Sequence, residues 1–191
     1  MRPRPPVGII WCGNARKGSS NRWSFPPAVA RHLRELTAGK RVCHLFGGLA
    51  TWGVRCDIDP TVRPHVLGDA WLPPFVCDAF DVVILDPPYH GINQQMKHLL
   101  LQQAAYIARE SVLWFHTQWV AADTSLRLNQ AWLVRVGDSC SVRCLQEFVV
   151  RPGEKRQPRV YFTRGPAIRY NRWLAGQAGL PLSAGSEAVT P

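Results

Sequence analysis

The sequence predicts an α/β fold with a mostly parallel sheet, an antiparallel C-terminal hairpin edge and a compact set of helices. Three observations lead there. Between residues 41 and 116, short apolar runs alternate with crossover segments, as parallel strands require. Beyond residue 133, strand-like runs are joined through Gly/Asp/Ser and Pro/Gly/Lys turns, as antiparallel neighbours are. The runs at 41–46, 53–56 and 80–85 also lead directly into Gly47, Asp57 and Asp86, and the run at 66–67 leads through Gly68 to Asp69. In such sheets ligands bind outside the carboxyl ends of the strands.

The elements follow in order. Residues 7–11 are an apolar patch and a candidate short strand. Pro26 and Pro27 suit the first turn of a helix that carries Val29, Leu33 and Leu36 on one side and closes near Gly39. The four runs just named come next. Residues 93–109 are the clearest helix: Met96, Leu99, Leu100, Ala104 and Ile107 approximate a 3.6 period, with Gln94, Gln95, Gln102, Gln103 and Arg109 facing outward. Residues 111–115 are a fifth strand, followed by a short helix at about 124–132. Strands at 133–136, 142–150 and 159–162 then complete a single domain over residues 1–175. Residues 176–191, rich in Gly, Ala, Ser and Pro, are expected to be a flexible tail.

Composition narrows the partners. The 191 residues fit one domain with a real core, and no apolar stretch has the length of a membrane span. No signal-like apolar region follows Met1 to Pro6, so a cytoplasmic location is expected. Six cysteines lie scattered without a C-x-x-C pair, which reads as buried reduced thiols. No His/Asp/Glu grouping has metal spacing, and no metal is expected. The net charge of +10 is unevenly placed. Residues 1–41 hold nine of 23 Lys/Arg against Glu35 alone; residues 135–172 hold nine more against three acids. From Asp57 to Asp86 there are six carboxylates and only Arg63. Basic flanks around an acidic centre fit a polyanion held at the rim of a pocket that takes something else, or simple solubility.

The strand ends carry the chemistry. Asp86-Pro87-Pro88-Tyr89 offers an acceptor, a stiff turn and a flat ring at one point, which suits a planar substrate with an exocyclic amine. A Pro-Pro turn with a tyrosine cap is the plain alternative. Gly47-Gly48 lets backbone approach a ligand closely. Asp57, or Asp59 in its place, can accept both hydroxyls of a ribose. Asp69 can accept from an adenine amino group, with the N–H of Ala70 beside it; each acid has a plainer use as a cap or turn former. Together they point to a nucleoside-containing cofactor. A nucleoside triphosphate is disfavoured because nothing resembles G-x-x-x-x-G-K-[ST], and a dinucleotide because G-x-G-x-x-G is missing.

In that order, Leu45-Phe46-Gly47-Gly48, Asp57-Ile58-Asp59, Gly68-Asp69-Ala70 and Asp86-Pro87-Pro88-Tyr89 resemble the S-adenosylmethionine-dependent amino-methyltransferases of nucleic acid bases, over about residues 24–116. The D-P-P-Y form is typical of adenine N6 enzymes. The resemblance implies a class I, Rossmann-like fold and S-adenosylmethionine as cofactor. Phe46, Gly47 and Gly48 would lie along its methionine part, Asp57 would take the ribose and Asp69 the adenine. Phe25 and Pro26 look like the family's N-terminal cofactor-contacting segment. The chain departs from the family between Phe46 and Asp57, where about ten residues replace a full helix. Trp52 or Trp71 would then cover an adenine face or serve as packing.

By the same resemblance, the Asp86 carboxylate and Pro87 carbonyl accept the amine hydrogens. The nitrogen lone pair turns toward the methyl donor, transfer is a direct displacement aided by alignment, and Tyr89 stacks on the base. A base in a duplex must first leave the helix. His90 and His116 are candidates at the same edge. Arg151, Lys155, Arg156, Arg159, Arg164, Arg169 and Arg172, interleaved with Tyr161, Phe162, Tyr170 and Trp173, are candidates for phosphate contact. The expected substrate is adenine N6 in nucleic acid, DNA slightly before RNA, with selectivity supplied by the basic C-terminal third or a recognition subunit. Guanine N2 methylation of structured RNA and a catalytically silent nucleic-acid-binding subunit are the alternatives. Oligomeric state is not legible.

Overall fold

The structure is a computed structural model that describes residues 8–12, 24–89, 91–122, 124–135, 142–151 and 153–154. The chain divides after Arg159, and its second unit, Val160–Pro191, falls outside the described residues. The strand expected at 159–162 and the tail expected at 176–191 fall there as well.

Eight strands form one sheet: β1 (Gly8–Trp11), β2 (Val42–Leu45), β3 (Val54–Asp57), β4 (Val66–Leu67), β5 (Phe80–Leu85), β6 (Ala108–His116), β7 (Leu126–Arg135) and β8 (Val142–Val150). Their order is β1-β7-β8-β6-β5-β2-β3-β4. β2 to β6 pair in parallel. β8 runs antiparallel between β6 and β7, and β1 adds in parallel outside β7. The carboxyl ends of β2, β3, β4 and β5 therefore share one edge, and the start of β8 comes to that edge from the opposite direction.

Two helices cover the two faces. α1 (Pro27–Leu36) starts at Pro26, with Pro27 in its first turn, where a missing N–H costs nothing. It buries Val29 and Leu33 against Val42, Val82, Ile84, Leu113, Phe115, Trp132, Val134 and Leu145. Gly39, at φ +73°, makes the expected stop. α2 (Gln94–Ile107) is capped by Asn93, whose Oδ1 accepts from the Met96 N–H at 3.0 Å, and it packs on β5 and β6. Its buried side carries Leu100, Leu101, Ala104 and Ile107, and it also takes in Lys97 and Gln103, which the sequence pattern had left outward or unassigned. None of the described helices is long and apolar enough to cross a membrane.

Two expectations are corrected. The helix expected at about 124–132 is the first part of β7. A register shift between Leu128 and Gln130 breaks the two-residue alternation there, so the apolar positions space themselves as on a helix. The other correction concerns the start of β6, which is Ala108, directly after α2, and not residue 111.

The crossover from β2 to β3 is compressed into residues 46–53 without a helix, where parallel strands usually need a dozen or more residues. Arg55 holds the turn. Its guanidinium donates to the carbonyls of Gly48 at 2.8 Å, Val62 at 3.0 Å and Arg63 at 2.7 Å. Close packing fixes the glycine too: a Cβ on Gly47 would lie 2.7 Å from Arg55 Cβ. Gly47→Ala is expected to force this backbone apart and cost about 1–3 kcal/mol. A thermal melt of the variant checks this; an unchanged midpoint would contradict the fit.

Candidate active site

β5 carries a carboxylate at each end, and the two have opposite environments. At the amino end, Asp81 accepts from the Arg41 N–H at 2.8 Å and meets the guanidinium groups of Arg41 at 3.1 Å and Arg109 at 2.8 Å. Those bonds hold its carboxyl below the usual range. It is a clamp between β2, β5 and β6. At the carboxyl end, Asp86 is half-buried among Tyr89 and the ends of β6 and β8. Burial pushes its carboxyl up to about 7, with Arg143 and the Tyr89 hydroxyl pulling the other way. A carboxyl poised near neutrality at a strand end marks a functional candidate by its physics.

Around Asp86 the motif is rigid. Pro87 and Pro88 are buried. The Tyr89 hydroxyl donates a long hydrogen bond to Asp86 Oδ1 at 3.4 Å. Burial and the Asp86 charge push that phenol up, so it stays a donor. The Tyr89 ring meets His116 edge-on at 5.3 Å, and the Arg143 guanidinium lies over it, 4.7 Å from the centroid. Arg143 also reaches Phe115 at 5.7 Å. His116 is buried, and its Nδ1 accepts from the Gln118 N–H at 3.1 Å, which places its own hydrogen on Nε2. Gln118 is held in turn by the buried Lys97, whose ammonium donates to the Gln118 side-chain oxygen, and by the Trp114 indole N–H at 3.3 Å. Gln146 fixes the next stretch through both Val120 backbone groups, at 2.9 and 3.0 Å. The segment after β6 is thereby tied down beside the motif.

The neighbouring strand ends form a second group. Phe46 leaves β2 at φ +61°, a left-handed conformation that costs a non-glycine residue about 1 kcal/mol or more. Gly48 follows at φ +44°, and its N–H donates to Asp57 Oδ2 at 2.8 Å, while the Asp59 N–H donates to Oδ1 at 3.0 Å. A carboxylate has about four acceptor sites, so each oxygen retains one for a pair of vicinal hydroxyls. Asp59 is used differently: its Oδ1 accepts from Thr61 N at 2.8 Å and caps the short 3-10 turn Pro60–Val62. Asp69 Oδ1 accepts from Trp71 N at 2.9 Å, with Ala70 and Trp71 buried behind it.

Phe25 and Pro26 lead into α1 on the other side of this edge. Phe25 packs on Phe115 at 5.6 Å, His44 at 6.0 Å and Trp52 at 6.1 Å. Trp52 itself contacts His44 at 4.6 Å and lies under the Arg34 guanidinium. In this arrangement Trp52 is part of the α1-side packing.

The structure thus gathers Phe25, Phe46, Gly47, Gly48, Asp57, Asp69, Ala70, Asp86, Tyr89 and His116 at one sheet edge. Arg151 is not among them. Because β8 runs antiparallel, its end lies at the amino ends of the parallel strands, where Arg151 N–H bonds Ser125 O at 2.9 Å and its side chain faces Glu154 at 3.8 Å. His90, Lys155, Arg156, Arg159, Arg164, Arg169 and Arg172 lie outside the described residues. Among the described residues, Arg143 is the base that lies over Tyr89, and sequence reasoning missed it. Its one signal is parity: it sits two residues before Leu145, which faces α1, but the signal has meaning only once the direction of β8 is known.

Two buried imidazoles set an acid limit. Burial lowers His44 and His116 to about 4 each. The unfolded chain binds protons near pH 6.5 and the folded chain refuses them, so the stabilisation is full above pH 6.5 and lost as pH falls toward 4. Each contributes about 3 kcal/mol across that window. Urea midpoints are expected to fall between pH 7 and 5; a flat profile would contradict the burial of both rings. Nucleophilic chemistry by Cys56 or Cys144 is disfavoured, since both thiols are buried and pushed up to about 12.

The chain is similar in fold to solved proteins. TrmN from Thermus thermophilus matches with a TM-score of 0.55 at 17% identity, over 68% of this chain and 50% of that one. The N-methyltransferase NodS from Bradyrhizobium japonicum WM9 matches with a TM-score of 0.51 at 10% identity, over 65% and 94%. Magnesium protoporphyrin IX methyltransferase (ChlM) from Synechocystis PCC 6803 matches at 0.48 and 11%, over 65% and 77%. The chain spans about half the length of the TrmN chain it matches. No family model matches, and no curated protein does. The fold is that of a class I, Rossmann-like methyltransferase. Within it the crossovers from β2 to β5 lack α-helices, and α1 and α2 are the only two α-helices among the described residues.

Proposed function

We propose that the chain is an S-adenosylmethionine-dependent methyltransferase that modifies an exocyclic base amine in nucleic acid, adenine N6 in DNA first. The observation that carries this reading is the Asp86 carboxyl, placed at the carboxyl end of β5 beside a protonated Tyr89 and held near neutrality. In its ionised form it accepts one amine hydrogen in a charge-assisted bond while the Pro87 carbonyl takes the other; in its neutral form that assistance is lost.

The donor set fits the cofactor at its polar end. Asp57 keeps one acceptor site on each oxygen for two ribose hydroxyls, Asp69 and Ala70 flank the place for the adenine, and Phe46 to Gly48 present backbone toward the methionine part. When bound, S-adenosylmethionine supplies an electrophilic methyl group on a positively charged sulfur. The protein's own work is alignment. Asp86 and the buried Pro87 turn fix the amine by its hydrogens, so the nitrogen pyramidalises and its lone pair leaves the ring. Tyr89 supplies an aromatic ring beside the carboxylate, and base stacking on such a ring is worth roughly 1–3 kcal/mol. The proton leaves after transfer, and a carboxylate with a pKa near 7 is a competent acceptor for it.

DNA is preferred to RNA, and adenine N6 to guanine N2, on the Asp86-Pro87-Pro88-Tyr89 form alone. The basic C-terminal third or a recognition subunit would supply sequence selectivity, and a cytoplasmic location goes with these substrates. Calorimetry with S-adenosylmethionine and S-adenosylhomocysteine tests the cofactor, with and without nucleic acid. Absence of binding by either would favour a silent subunit, a reading that rests on the compressed crossover after Gly48. If nucleoside analysis yields N2-methylguanine and no N6-methyladenine, the substrate assignment fails.

A further inference from the structure

We propose that Arg143 is a positioning residue for the Asp86–Tyr89 pair: its guanidinium, laid across Tyr89 and Phe115, holds the tyrosine ring in place and keeps the neighbouring carboxylate charged for the incoming amine. The inference rests on the reading of Asp86 as the amine acceptor.

Geometry carries it. Arg143 is near the start of β8, opposite Val134 of β7 and next to Cys144, which pairs with His116 of β6. The reversal of β8 brings this side chain to the edge where β5 and β6 end. One guanidinium there meets two rings, at 4.7 Å for Tyr89 and 5.7 Å for Phe115. A planar cation can lie on both faces while its charge acts on the carboxylate beside them; a lysine ammonium keeps the charge but not the flat contact. With Arg143 over one face and His116 meeting it at a steep angle, the Tyr89 ring has a fixed plane.

Among the described residues, the other charged and titratable groups nearby do not supply the same effect. In the turn, Tyr89 stays protonated. From β6, His116 is kept neutral down to about pH 4. Cys144 of β8 and Cys12 after β1 have raised thiols, and His44 of β2 is neutral. From α2, the buried Lys97 acts on His116 and Cys144 and is engaged by Gln118. Arg143 acts on Asp86 directly, against the burial that drives it toward the neutral acid.

The test uses the full chain with Arg143→Met and Arg143→Lys. The first readout is the Asp86 carboxyl titration by carbon NMR, identified by its loss in Asp86→Asn; it needs no substrate. The midpoint near 7 is expected to rise by roughly one unit in Arg143→Met and to return at least halfway in Arg143→Lys. The second readout is kcat/KM against pH, with Arg143→Met slower by about tenfold at pH 6 and within about twofold at pH 9. Equal losses at both pH values would overturn the proposal in favour of a structural role. An unmoved titration would overturn it whatever the activity, and Arg143→Lys keeps the question open to measurement if the methionine variant does not fold. A wild type that transfers nothing while the titration moves as described would overturn the reaction reading and support the coupling of Arg143 to Asp86.

Discussion

Asp86→Asn is expected to melt higher than the wild type at pH 8 while losing methyl transfer. Burial raises the Asp86 carboxyl from the ordinary 3.8 to about 7. The folded protein therefore retains a proton that the unfolded chain gives up, and stability falls as pH rises from 4 to 7. The full shift corresponds to about 4 kcal/mol. Asp86 keeps part of its surface in water, so about half of that, ~2 kcal/mol, is the expected gain for a neutral amide. In a chain of this length the gain raises Tm by roughly 4–8 °C. The difference should close as pH falls toward 4, where the wild-type carboxyl is also neutral. Transfer should drop by about 10³-fold, because the amide lacks the negative charge that strengthens the hydrogen bond from the amine as positive charge develops on its nitrogen, and cofactor affinity should stay within about threefold. Such a combination of higher stability and lost activity marks a residue kept for chemistry. A lower Tm in the variant at pH 8 would contradict the burial of a charge-averse carboxyl.

The same variant sharpens the acid limit. In the wild type, the relief of Asp86 on protonation offsets part of what His44 and His116 lose between pH 7 and 5. With Asp86→Asn that offset is gone, so the fall in urea midpoint across this range should be steeper than in the wild type.

The second large effect is expected at Asp57. Asp57→Ala removes the acceptor for two ribose hydroxyls, at ~1.5 kcal/mol for each charge-assisted hydrogen bond. Affinity for S-adenosylhomocysteine should fall by about a hundredfold in calorimetry. The change also releases the N–H groups of Gly48 and Asp59, so the compressed crossover loosens and the variant melts lower than the wild type. Asp57→Asn should sit between the two in both measurements. Asp59→Ala is the control: it uncaps the turn at Pro60–Val62 and costs stability, but should leave cofactor affinity within about threefold. Equal losses of affinity at positions 57 and 59 would move the ribose contact away from Asp57.

What the sequence makes legible here is the part written in local pattern. The apolar runs that become β2, β3, β4 and β5 lead into Gly47, Asp57, Asp69 and Asp86, and parallel pairing brings all four to one edge. The proline start of α1 and the Asn93 cap of α2 are equally local. The features that escape depend on relations between distant elements. β7 reads as a helix because its register shift between Leu128 and Gln130 spoils the alternation. The compressed β2–β3 crossover depends on Arg55, whose value lies in three carbonyls on two other segments. Arg151 and Arg143 are both arginines of the β8 region, and only strand direction decides that the second reaches Asp86. The pairing of Lys97 with Gln118 is hidden for the same reason: a lysine on the helix's amphipathic stripe reads as solvated until the segment after β6 supplies its partner.

At the centre of the proposed reaction, the carboxylate ending β5 directs a methyl group onto an exocyclic base nitrogen. The most direct measurement is mass spectrometry of nucleosides after incubation of the wild type and Asp86→Asn with S-adenosylmethionine bearing a deuterated methyl group, using DNA and RNA separately. The account predicts a trideuteromethyl group on adenine N6, from DNA before RNA, and none with Asp86→Asn. Label on a ring nitrogen, a ring carbon or a ribose oxygen, or undiminished transfer by the variant, would contradict it.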